Sequence, residues 1–130
     1  FNLGPKADGT LAAFEVERLE AIGRWLVVNG ESIYGASKSP FGAQDFGRTT
    51  WNPERRRLFA HVYRWPESGL VTLKGARMKP TAATLLARPG DPVAVRATAD
   101  GVELQLTGAA PDPAVSVIAI DFEGSIEPLD

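Results

Sequence analysis

The spacing of apolar residues changes once along this chain of 130 residues, and that change limits what it can fold into. Between Ala12 and Val28 the non-polar residues Val16, Leu19, Ile22, Gly23 and Leu26 recur at helical spacing, which predicts one amphipathic helix of about four turns. Thr10 is placed to cap its start, and Glu15 and Glu17 lie where the positive end of the helix dipole favours them. Glu20 and Arg24 form a favourable pair one turn apart, and Asn29-Gly30 supplies a left-handed residue to end the helix.

From Arg57 onward the period is two. Leu58, Ala60 and Val62 face one way and Phe59, His61 and Tyr63 the other. Further strands are predicted at Leu70–Leu73, Ala82–Ala87 and Pro92–Thr98, punctuated by Pro66-Glu67-Ser68-Gly69, Lys74-Gly75 and Pro89-Gly90. Asp100-Gly101 reads as a tight hairpin turn into Val102, Leu104 and Leu106. Pro111-Asp112-Pro113 breaks the chain before a last strand that is apolar on both faces from Val117 to Ile120, the mark of a strand covered on both sides. Residues 36–56, rich in Gly, Ser, Pro and Asn, read as a connection with one short strand at Arg48–Trp51. The expected fold is mainly β: an antiparallel β-sandwich over 57–130, preceded by one helix within 1–35.

Several function classes are excluded at this level. A formal net charge of −2 argues against a nucleic-acid partner, which calls for clustered excess Lys and Arg. No apolar run approaches the ~18 residues that span a bilayer, so no membrane partner is expected. With no cysteine there is neither a disulfide nor a thiolate ligand or nucleophile. A metal site usually needs several ligands, and His61 is the only histidine, so no metal or other cofactor is expected. Within an alternating strand, beside Tyr63, His61 reads as structural or surface rather than catalytic. The basic run Arg55-Arg56-Arg57 follows Asn52-Pro53 and reads as a solvated turn, with a phosphate or sulfated-glycan contact as the sharper alternative.

Exposed aromatic rings stack on sugars, so Trp51, Tyr34 and Trp65 are the candidate carbohydrate contacts, Trp51 being the least explained by packing. The helix stripe Val16, Leu19, Ile22, Trp25 and Leu26 is the candidate interface of a homo-oligomer.

Four motifs, in order, carry a family resemblance. Asn2-Leu3-Gly4-Pro5-Lys6-Ala7-Asp8-Gly9 is followed, after the helix, by Trp25-Leu26-Val27-Val28-Asn29-Gly30-Glu31-Ser32-Ile33-Tyr34-Gly35. Then come Leu58-Phe59-Ala60-His61-Val62-Tyr63-Arg64-Trp65-Pro66 and Ala110-Pro111-Asp112-Pro113 with its strand. Together they resemble the end of the catalytic barrel and the C-terminal β-sandwich of family-29 α-L-fucosidases. The resemblance implies that 1–35 are the last barrel unit, and that the helix is left over from that barrel. Retaining hydrolysis needs two carboxyl groups about 5–5.5 Å apart across the sugar. The resemblance places the family's catalytic Asp, its acid/base residue and its sugar-binding histidines upstream of this stretch, so no catalytic residue is expected here. It also implies a non-catalytic, supporting role. The partners expected are the barrel or, failing that, other copies of the chain, with a glycan as an alternative. A periplasmic or extracellular bacterial setting is suggested by the resemblance alone.

Overall fold

The computed structural model describes residues 13–112 and 114–129. The Asn2–Gly9 loop, the Thr10 cap and the Glu15 side chain lie outside what is described. The helix α1 spans Ala13–Asn29. Nine strands follow: β1 Ser37–Lys38, β2 Gly47–Asn52, β3 Arg57–Val62, β4 Leu70–Lys74, β5 Ala76–Leu85, β6 Arg88–Pro92, β7 Ala94–Thr98, β8 Gly101–Gln105 and β9 Ser116–Pro128. They form a six-stranded sheet in the order β1-β2-β3-β9-β5-β6 and a three-stranded sheet in the order β4-β8-β7, with every pairing antiparallel.

The core lies between the two sheets. Leu58, Ala60 and Val62 of β3 and Ile118, Ile120 and Phe122 of β9 meet Val71 and Leu73 of β4 and Val102 and Leu104 of β8. The other face of the large sheet is also closed in part: Phe59, Val117 and Ala119 are buried under Trp25, Ala36, Leu86 and Val115. β9 is therefore apolar on both faces because it runs between β3 and β5 with a layer on each side, as its composition predicts.

Four local expectations are corrected. α1 does not end on a left-handed Asn29-Gly30; it passes into a 3-10 turn at Gly30–Ser32, and the first positive φ comes at Gly35 (76°). At this exit Ser32 Oγ donates to Asn29 O (2.7 Å), occupying a carbonyl that a helix end leaves open, and Asn29 Nδ2 donates to Trp25 O (3.2 Å). The connection holds a further strand, β1, besides the expected one at Arg48–Trp51, which runs one residue further at each end as β2, with Gln44 bridging Gly47 at its entry. Pro89-Gly90 does not end a strand but lies inside β6, an edge strand where a missing N–H leaves no ladder bond unmade. The β7–β8 hairpin turns on Ala99 and Asp100, because Thr98 pairs with Gly101, one residue earlier than the Asp100-Gly101 reading.

Candidate functional site

The outer face of the six-stranded sheet, beside the end of α1, is where polar chemistry collects. Alternation along β3 turns Leu58 and Ala60 into the core and His61 outward, opposite Arg48 of β2 and Val117 of β9. Phe59, next along that face, lies opposite Thr50, which is itself opposite Lys38 of β1. Where Trp25 and Ala36 stop covering this face, an open groove of about 650 Å³ remains, with Ile33, Lys38, Arg48, Thr50, His61 and Tyr63 among its walls.

His61 forms part of the groove yet is only 5% exposed. Its Nε2 is 3.1 Å from Thr50 Oγ1, and that hydroxyl donates its one proton to Ser32 O at 2.6 Å. Thr50 can therefore only accept from the ring, which makes Nε2 the protonated nitrogen and leaves Nδ1 with a free lone pair. Burial pushes the His61 pKa below its ordinary value. The unfolded chain takes up a proton as pH falls through about 6.5, while the folded chain does not until a lower pH. Stability is complete above about 6.5 and is lost progressively below it. Urea midpoints measured from pH 8 to pH 5 are expected to fall on the acid side, and His61→Gln is expected to flatten that part of the profile.

Beyond His61 on the same face, Arg57 ties three elements together. Its Nε and Nη2 donate to the two carboxylate oxygens of Asp121 on β9 (2.7 and 3.2 Å), and Nη1 donates to Glu31 in the turn after α1 (2.9 Å). The hydrogen bond to Asp121 raises the Arg57 pKa still further above its usual range; partial burial opposes this, and Glu31 adds to it. The solvated-turn reading of Arg55-Arg56-Arg57 thus holds for the exposed Arg55 and Arg56 but not for Arg57. Glu31 and Asp121 converge on one guanidinium, which ties the turn after α1 to β3 and β9. Among the described residues no group of three or more His, Asp or Glu could hold a metal ion, and no helix is long and apolar enough to cross a membrane.

The three aromatic candidates lie in different settings. Trp51 is half-buried on the core face, stacked on Phe122 with ring centroids 6.3 Å apart. Trp65 packs against the same core and donates Nε1 to Gly108 O (3.2 Å). Tyr34 is 67% exposed just beyond the 3-10 turn. None of the three is among the residues around the groove. The helix stripe divides: Val16, Leu19 and Ile22 are 38%, 41% and 42% exposed, whereas Trp25 is half-buried against the sheet with Nε1 donating to Val115 O (2.8 Å), and Leu26 is half-buried beside it in the helix.

No protein-family model matches the sequence. Curated relatives do. The chain is 29% identical over 97% of its length to the tissue alpha-L-fucosidase of Mus musculus, covering 27% of that protein. It is 32% identical over 84% of its length to the alpha-L-fucosidase of Branchiostoma floridae, covering 25% of it. Among solved structures, alpha-L-fucosidase isoenzyme 1 from Paenibacillus thiaminolyticus superposes with a TM-score of 0.78 at 27% identity, over 95% of this chain and 30% of that one. A GH29 alpha-L-fucosidase from Bacteroides thetaiotaomicron gives 0.79 at 26% identity, over 94% of this chain and 27% of that one. The chain spans about a quarter of the length of the curated relatives it matches.

Proposed function

We propose a supporting, non-catalytic role for this chain, which belongs to the family-29 α-L-fucosidases and corresponds to their C-terminal part. The activity proposed for the whole protein is retaining hydrolysis of α-L-fucosides by two carboxyl groups supplied elsewhere. The share of this chain is to hold a helix against a rigid sandwich so that the helix offers its free face to the catalytic unit.

The observation that carries this reading is the stripe of Val16, Leu19 and Ile22. α1 is fastened to the sheet near its C-terminal end by Trp25, while these three residues stay about 40% exposed. Completing their burial is worth roughly 1 kcal/mol each, and a row of three aligned on one face is more than scattered surface residues account for. In the whole protein the catalytic unit covers the stripe. In this chain by itself, helices of neighbouring copies take its place, and the chain self-associates.

Sedimentation velocity across a wide concentration range tests this. The expected result is reversible association, weakened about tenfold or more by Leu19→Glu, with the circular dichroism spectrum unchanged. A strict monomer at the highest concentrations, unaffected by Leu19→Glu, would remove the reason for assigning the stripe to an interface.

A further inference from the structure

The groove on the outer face has a chemical character of its own, independent of the helix stripe. Lys38 and Arg48 stand at its wall, both exposed, and neither makes an ion pair among the described residues. No Asp or Glu is among the residues around the groove, although the chain carries a net charge of −2. The register brings the two cations together: Lys38 lies opposite Thr50, and Arg48 is two residues from Thr50 on the same strand and so on the same face. Ile33 and Ala36 supply an apolar side, and Tyr63, 49% exposed, a ring. At the buried end is His61, with one nitrogen committed to Thr50 and the other a lone pair without a partner among the described residues.

We propose that this groove binds an acidic sugar residue, that is, a pyranose carrying a carboxylate or a sulfate ester. Each part of the groove has a counterpart in such a ligand. The anionic group is held by Arg48 and Lys38, with the guanidinium able to take two oxygens at once. The apolar face of the sugar ring lies against Tyr63 and the Ile33 side. A sugar hydroxyl donates to the free ring nitrogen of His61, satisfying a buried acceptor that is otherwise unpaired. A simple inorganic anion uses only the first of these features, and a neutral sugar only the other two. Selectivity for the combination is therefore what this geometry predicts.

The chain is small enough for two-dimensional 15N NMR. It would be titrated with galactose sulfate and with glucuronate, and in parallel with galactose and with inorganic sulfate. Amide shifts at Lys38, Arg48 and Tyr63, together with a change in the 15N shift of His61 Nδ1 on saturation, are expected for at least one acidic sugar. Which of the two produces them identifies the anion as a sulfate ester or a carboxylate. Arg48→Gln and Lys38→Gln, both at exposed positions, are each expected to weaken binding about tenfold without altering the unfolding midpoint. Equal affinity for inorganic sulfate and galactose sulfate would overturn the sugar assignment. Absence of shifts around the groove at saturating concentrations of both acidic sugars would overturn the site. Shifts that persist unchanged in the Arg48→Gln and Lys38→Gln chains would also overturn it.

Discussion

Phe59→Ala is expected to cost about 3–5 kcal/mol, a large part of the total stability of a domain this size. The ring is completely buried in β3, and it forms with Val117 and Ala119 the small outer cluster beneath Trp25 and Ala36. Removing it takes away the surface on which the end of α1 rests, so the loss has two parts: the transferred ring and the cavity left under a helix that is tied down at few other points. The measurement is equilibrium denaturation followed by tryptophan emission. Trp25 should report an early, separate loss of its buried environment in the variant. A cost below about 1 kcal/mol would mean that the outer cluster contributes little to the fold.

Gly101→Ala is expected to be nearly as damaging, at about 2–4 kcal/mol, for a different reason. Gly101 opens β8 opposite Lys74 of β4, and an added Cβ would lie 1.7 Å from Leu73 O and 2.7 Å from Leu73 C. Both are backbone atoms of a buried strand and cannot turn aside. Relief therefore requires β4 and β8 to part at the hairpin end, in the middle of the three-stranded sheet. Gly90→Ala is the control: its added Cβ meets nothing within 4 Å, and its midpoint should stay within about 0.5 kcal/mol of the parent. Thermal or urea unfolding of the two variants side by side separates steric exclusion from the general effect of replacing glycine.

The sequence makes the sandwich legible where composition and position agree. The doubly apolar run Val117–Ile120 announces a central strand, and the 3.6-residue spacing before Val28 announces the helix. It misleads where punctuation residues occupy unusual places. Pro89 and Gly90 belong to an edge strand, and Pro80 lies inside β5 at a shift of register against β9, so the spacing shows the second of these strands too short and the first not at all. Gly101 looks like a turn residue, but it is glycine because the β4 backbone passes too close for a side chain.

The site was less legible than the fold, because its parts meet only through register. Nothing in the spacing of Lys38, Arg48 and His61 says that they share one face; the pairings of β1 with β2 and of β2 with β3 do. Those pairings also explain Trp51, which looked unaccounted for in an irregular stretch. It lies opposite Leu58 and so turns inward to stack on Phe122. Arg57 could not be separated from its two arginine neighbours by sequence. Its partners are a turn residue 26 positions before it and a strand residue 64 positions after it.

We propose that this part of a family-29 α-L-fucosidase supports a catalytic centre without containing one. The most direct measurement is intact-mass analysis of the purified chain after incubation with 2-fluoro-fucosyl fluoride, a reagent that forms a stable fucosyl ester on the nucleophile of a retaining enzyme. The expected result is an unmodified mass. A stoichiometric fucosyl adduct on one carboxylate of this chain would contradict it.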